Sequence, residues 1–228
     1  MNRQNEFEGL SNEYIQSVGK IIPGYQIMHS MIKSFFENCL NDNSDILIIG
    51  AGGGAEMNAL CTSSKKWNIF GIDPSEEMLE KARLIVNVQK SLHQIDFMKG
   101  YLSDLPESRK FNAATSVLVM HFLKDNGEKL NFLKQVRQHL KENGFFILVD
   151  FCGEKGTENI EDFLNAWERN AINSEVDKNI ITTQRKNILA NLPFISDQRE
   201  NELLNEAGFK DFSIFYKAFM YTGWFLKT

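Results

Sequence analysis

The chain has 228 residues and a formal net charge of −5, with 43% hydrophobic and 24% charged residues. This length suits one sizeable α/β domain, and the composition is ordinary for a soluble globular protein. The acidic balance argues mildly against a nucleic-acid partner, and no apolar run approaches the ~20 residues that a membrane span needs.

The cysteines and the N-terminus bear on where the protein works. Cys39, Cys61 and Cys152 are widely spaced, odd in number and without a CxxC pair. We therefore expect a reducing, cytoplasmic setting and no metal site. The first residues are polar, which predicts that there is no signal peptide.

Residues 1–44 predict a helical cover that precedes the first strand. Apolar residues from Phe7 and Leu10 to Ile22 recur at helical spacing, and Pro23-Gly24-Tyr25 breaks the pattern. A second helix is predicted from about Gln26 to Leu40, followed by a polar turn that leads into the sheet.

A buried strand and a glycine-rich turn come next. The apolar run Ile46 to Ile49 is typical of a strand buried on both faces of a parallel sheet. Gly50-Ala51-Gly52-Gly53-Gly54 then permits a tight turn, and a helix is predicted to begin at Ala55. Backbone N–H groups exposed at such a turn can bind a ligand.

An acid stands at the end of the second predicted strand, Asn68 to Ile72. Asp73 follows Gly50 by 23 residues, close to the roughly 20 expected between a glycine turn and a ribose-binding carboxylate. The order of strand, glycine turn, helix, strand and acid indicates a nucleoside cofactor.

The segments Ile49–Gly54 and Gly71–Ala82 resemble the first two motifs of class I S-adenosylmethionine (SAM)-dependent methyltransferases. The resemblance implies a Rossmann-like α/β fold: a mostly parallel seven-stranded sheet with helices on both faces and an antiparallel C-terminal strand. It also implies SAM as cofactor and S-adenosylhomocysteine (SAH) as product. Gly50–Ala55 also fits a dinucleotide-binding G-x-G-x-x-A pattern, but the segment Pro74–Leu79 favours SAM over NAD.

The same resemblance implies the site residues. Tyr101 and Leu102 fall where this superfamily holds adenine, although the usual acid there is replaced by Tyr101. Val117 to Met120 lie where the methyl-transfer pocket is expected. The cofactor-binding residues predicted in this way are Tyr25, Gly50, Ala51, Gly52, Asp73, Pro74, Tyr101, Leu102 and Val117.

Two further polar residues follow predicted strands. His121 is more often structural at such a place, but facing the pocket it could deprotonate a nucleophile, since its pKa lies near neutrality. Asp150 fits a substrate contact or a loop cap equally well.

The remaining elements complete a single domain over residues 1–228. Residues 153–193 are polar and carry helical patterns, and the resemblance implies a substrate lid there, since this superfamily often places one between the fifth and sixth strands. The other predicted elements are a helix at Glu76–Val88, strands at Leu92–Gly100 and Phe111–Met120, a helix from Glu128 to Leu140 capped by Gly144, a strand at 144–151, a helix at 196–209, and an antiparallel pair at 212–216 and 223–226.

Within the superfamily, Pro23-Gly24-Tyr25 and Glu206–Phe209 are similar to carboxy-SAM synthases of tRNA wobble-uridine modification, in which this tyrosine contacts the amino-acid end of SAM. Val117 replaces a ligand-binding asparagine of those enzymes. The arginine that holds their extra carboxylate has no clear counterpart, since Asn173 aligns nearest and Arg169 and Arg185 are out of register. The charge of that extra carboxylate would be costly to bury in a closed site without a cation, so ordinary SAM is the expected cofactor.

The sequence therefore predicts a SAM-dependent methyltransferase acting on a small-molecule acceptor that it does not identify. The first alternative is a carboxy-SAM synthase-like enzyme. The second is an NAD-dependent oxidoreductase or a non-catalytic nucleotide-binding module. No membrane partner is expected, and a homodimer is compatible with the sequence.

Overall fold

The computed structural model describes residues 12–88 and 93–228. Its centre is a seven-stranded sheet with strand order β3-β2-β1-β4-β5-β7-β6, in which β7 runs in the direction opposite to the other six strands. The strands are β1 (Asp45–Ile49), β2 (Asn68–Asp73), β3 (Gln94–Lys99), β4 (Phe111–Val117), β5 (Leu140–Phe151), β6 (Asp211–Ala218) and β7 (Tyr221–Lys227). The predicted mostly parallel α/β sheet is confirmed.

Helices cover both faces of this sheet. They are α1 (Asn12–Ile21), α2 (Tyr25–Cys39), α3 (Ala55–Leu60), α4 (Glu76–Val88), α5 (Glu128–His139), α6 (Glu158–Asn173), α7 (Lys178–Asn191) and α8 (Asp197–Glu206). Short 3-10 turns occupy Leu102–Asp104 and Met120–Phe122.

The core has two halves because successive residues of a strand point to opposite faces. From β1, Ile46 and Ile48 pack in the half that contains the apolar sides of α2, α3, α6 and α7. Leu47 and Ile49 belong to the half that contains α5 and α8. The continuous apolar run of β1 is thus explained by burial on both sides.

Gly144 is not a helix cap, so that prediction is wrong. α5 ends at His139, and Gly144 lies within β5. Phe111 pairs with Leu140 and Ala113 pairs with Phe145, so β5 bulges between these two pairs. The Lys141 ammonium donates to Asp45 Oδ2 and Asn112 Oδ1, both at 2.8 Å, which holds the bulge against β1 and β4.

Some predictions lie outside the described residues, namely those for Phe7, Leu10 and Leu92. The fourth strand ends earlier than predicted, at Val117, because Leu118 takes a positive φ of 60°. Residues 153–193 form α6 and α7, and their role as a lid stays a prediction. Across the described ranges, no helix is both long enough and apolar enough to cross a bilayer.

Gly54, at the start of α3, combines a positive φ of 80° with close packing, since an added Cβ would lie 2.9 Å from Ala82 Cα. Gly156 has a similar φ of 81° but open space around it. We predict that Gly156→Ala costs ~1–2 kcal/mol of stability through backbone strain alone. Gly54→Ala should cost at least about 1 kcal/mol more, through overpacking. Urea unfolding measures both variants, and equal losses would show that α4 does not constrain Gly54.

Candidate functional site

A cavity of about 690 Å³ lies where the carboxyl ends of β1, β2 and β4 meet. Open α/β sheets bind their ligands at this edge. The residues predicted to bind the cofactor all line it: Tyr25, Gly50, Ala51, Gly52, Asp73, Pro74, Tyr101, Leu102 and Val117. The structure thus brings these residues together, and their contacts with a ligand stay predictions.

The glycine turn is held close to the end of β2. Gly50 N and Ala51 N both donate to the carbonyl of Ile72, at 2.8 and 3.0 Å. Gly50 has a φ of 72°, and a Cβ there would lie 2.3 Å from Val119 Cγ2. Only glycine fits at this position, because both the backbone conformation and the space exclude a side chain.

Asp73 faces the same turn. Its Oδ2 accepts a hydrogen bond from Gly52 N at 2.8 Å, and its Oδ1 accepts one from Ser75 N at 2.9 Å. Burial raises the pKa of this carboxyl, and the two backbone donors partly oppose the rise. An ionised carboxylate has about four lone-pair sites, so both oxygens can accept further bonds from a ligand hydroxyl.

The wall predicted to face adenine is formed by the turn after β3. Leu102 is buried, whereas Tyr101 is 41% exposed at the rim. Tyr101 N donates to Asp104 Oδ2 at 2.7 Å, so the exposed Asp104 stabilises the turn. Asp104 does not line the cavity.

Acidic side chains dominate the charge of the cavity. Glu56, Asp73 and Glu128 line it, and none of the lining residues in the described part of the chain is Lys or Arg. His29 also lines it, and burial lowers the pKa of its ring to about 4, so His29 is neutral near pH 7. Such a cavity favours a cationic ligand.

His29 and Glu56 were missed by the sequence analysis. His29 lies one helical turn after Tyr25, and their rings are in edge contact, with centroids 4.5 Å apart. The i, i+4 spacing could have placed the two side chains on one face of α2. Glu56 is 6% exposed, which its place in a first helical turn does not indicate.

His121 does not line the cavity, whereas the next residue, Phe122, does. The backbone N of His121 donates to Asp150 Oδ1 at 2.9 Å, and its Nδ1 lies 2.8 Å from the same oxygen. Asp150 thus caps the Met120–Phe122 turn, which is the loop-cap interpretation. A catalytic role for His121 stays a prediction.

A second acidic cluster lies away from the cavity. Cys152, Asp197 and Glu200 bring potential metal ligands within 4.8 Å of one another. Glu200 Oε2 already accepts hydrogen bonds from Cys152 Sγ and Trp224 Nε1. Asp197 accepts hydrogen bonds from Lys217 and Thr222. These bonds suit a buried polar network, and the expectation of no metal stays a prediction.

Comparison with known proteins identifies the class of domain. Residues 47–146 match the family described as a methyltransferase domain. These residues, which include the glycine turn and Asp73, therefore match a methyltransferase domain. The cofactor of this class of domain is SAM, and its product is SAH.

Two relatives are carboxy-S-adenosyl-L-methionine synthases. The one from Staphylococcus epidermidis is 25% identical over 214 residues, which cover 92% of this chain and 90% of the relative. The one from Nautilia profundicola is 24% identical over 223 residues, which cover 94% of this chain and 91% of the relative. This methyltransferase domain is thus similar to carboxy-SAM synthases over nearly its full length.

Solved methyltransferase structures share the fold. A SAM-dependent methyltransferase from Thermotoga maritima aligns with a TM-score of 0.58 at 20% identity and covers 98% of each chain. The 1,6-didemethyltoxoflavin-N1-methyltransferase of Burkholderia thailandensis, solved with bound SAH, gives a TM-score of 0.58 at 15% identity, over 87% of this chain and 76% of that one.

Asp73→Ala should weaken SAH binding by about 1–3 kcal/mol, because it removes an acceptor of charge-assisted hydrogen bonds. Asp96→Ala is the matched control, since Asp96 is an exposed acid on the neighbouring strand β3 and does not line the cavity. Isothermal titration calorimetry measures both. Unchanged affinity in a folded Asp73→Ala variant would contradict the ribose assignment.

Glu56 should make stability depend on pH. Burial raises the pKa of its carboxyl from 4.5 to about 7 in the folded state. The stability linked to its protonation is full below pH 4.5 and is lost as the pH rises to about 7. Relative to Glu56→Gln, the wild type should lose roughly 3 kcal/mol across this range. Urea unfolding from pH 4.5 to 7.5 measures the difference, and parallel curves would refute the assignment.

Proposed function

We propose that this domain transfers the methyl group of SAM to a small-molecule acceptor. The observation that carries the proposal is a cavity with the glycine turn and Asp73 on one side and no Lys or Arg among its described lining residues. A sulfonium nucleoside fits such a cavity, since its ribose would meet a carboxylate and its positive charge would meet an acidic surface.

The bound cofactor would supply a methyl group that its sulfonium already activates. The protein then has to orient an acceptor in line with that group and exclude water. Gly50 and Gly52 allow close approach to the backbone, and Asp73 would hold the ribose. Val117 and Phe122 provide apolar walls, and from α5 Asn131 and Gln135 provide amide groups that can bind an acceptor.

A carboxy-SAM synthase is the second candidate. The names of the relatives and the similarity around Tyr25 support it. The charges near the cavity oppose it, because a second carboxylate on the cofactor would need a cation. Arg169 and Arg185 do not line the cavity, and Arg185 instead pairs with Glu161 at 2.6 Å and with Glu168 at 3.5 Å. Neither the matched family nor these relatives support the NAD-dependent alternative.

The identity of the retained ligand should separate the two candidates. We predict that mass spectrometry of the purified wild type detects SAM or SAH, and that Asp73→Ala purified in parallel retains much less. SAM with a labelled methyl group should then label a small molecule from a deproteinised cell extract. Carboxy-SAM, which is heavier than SAM by one CO₂, would be found instead if the second candidate is correct.

The cellular setting is part of the proposal. All three cysteines are free, which agrees with a reducing cytoplasm. The acceptor is proposed to be a small molecule rather than a nucleic acid because of the net negative charge. A homodimer stays a prediction. Light scattering after size-exclusion chromatography tests it by measuring the molar mass in solution.

A further inference from the structure

Glu56 is a buried acid without a full set of partners. Its side chain lines the cavity from the first turn of α3, and the residue is 6% exposed. Its Oε1 makes no hydrogen bond to any atom of residues 12–88 or 93–228. Buried polar groups are nearly always hydrogen-bonded, so an oxygen of this kind at a cavity wall points to a missing donor.

The surroundings of Glu56 do not provide that donor. The Thr115 hydroxyl is close enough to Glu56 to lower the pKa of its carboxyl, but neither this hydroxyl nor the ring nitrogens of His29 make a hydrogen bond of standard geometry within the described ranges. α2, which carries His29, packs against α3. His29 and Glu56 therefore line the same cavity, and both side chains have buried atoms without a hydrogen bond in the described part of the chain.

We propose that Glu56 anchors a protonated amine in this cavity, with the ammonium group of a ligand donating to its free oxygen. The inference rests on the proposed function, because the amine has two sources there. One is the α-ammonium group of the cofactor, and the other is a cationic acceptor. Both would present an ammonium group to the carboxylate. No Lys or Arg side chain competes for Glu56 among the lining residues that the structure describes.

Ionisation of Glu56 provides a signature of binding. Burial is the main cause of its raised pKa of about 7, and Thr115 partly opposes it. The other titratable groups on the cavity wall are Tyr25 and His29 from α2, Asp73 from β2, Tyr101 from the turn after β3 and Glu128 from α5. An ammonium group beside Glu56 favours its ionised form, so binding near pH 7 should release roughly half a proton to the buffer.

The experiment uses calorimetry at pH 7 in two buffers with different ionisation enthalpies. The proteins are the wild type, Glu56→Gln and the control Glu77→Gln, which replaces an exposed acid on α4 that pairs with Lys81 outside the cavity. The ligands are SAH, an SAH analogue that lacks the α-amino group, and n-butylammonium added to SAH-saturated protein.

If the cofactor supplies the amine, Glu56→Gln should bind SAH about 10- to 100-fold more weakly than the wild type and release no proton. The analogue without the amino group should bind both proteins equally. If the acceptor supplies it, SAH affinity should be unchanged, and n-butylammonium should bind the wild type with proton release but not bind Glu56→Gln. Glu77→Gln should match the wild type throughout.

The inference is overturned if SAH binds the wild type without proton release and n-butylammonium does not bind. This comparison needs no variant, so a misfolded Glu56→Gln cannot obscure it. Absence of any SAH binding to the wild type would instead refute the proposed function, which separates the two failures.

Discussion

The hydrogen bond from Gly52 N to Asp73 Oδ2 joins the turn after β1 to the end of β2. Together with the bonds from Gly50 N and Ala51 N to Ile72, it sets the shape of the cavity floor. The cavity depends on this link because a glycine turn has no side chains of its own to hold it. The acid at the end of the next strand therefore positions the turn, and we propose that the same carboxylate also accepts hydrogen bonds from a ligand.

Charge discriminates between the ligands that this fold could hold. The fold itself is shared with methyltransferases of under 25% identity, and a shared fold does not identify the ligand. The acidic lining comes from Glu56, Asp73 and Glu128, and an additional carboxylate on the ligand would meet no Lys or Arg among the described lining residues. Desolvation of an unpaired charge is costly, so a buried acidic lining favours a ligand that carries positive charge.

Where local signals are strong, prediction from sequence succeeds. The helices Ala55–Leu60 and Glu76–Val88 begin where the glycine turn and Ser75 predict, and Met78 N donates to the Ser75 hydroxyl at 3.3 Å. The start of β5 was predicted at Gly144 instead of Leu140, because the residues that fix it are distant in the chain. Lys141 bonds to Asp45 and Asn112, residues that no window around Gly144 contains.

The strand, glycine turn, helix and terminal acid can be read from the order of residues alone, because steric freedom and apolar runs are local properties. The placement of His29 and Glu56 in the same cavity as Tyr25 and Tyr101 cannot, because these residues come from segments that meet only when the sheet is covered. The same packing turns His121 towards Asp150 and leaves one oxygen of Glu56 without a donor. Burial and hydrogen-bond partners arise from contacts between distant segments, so they appear only in the folded chain.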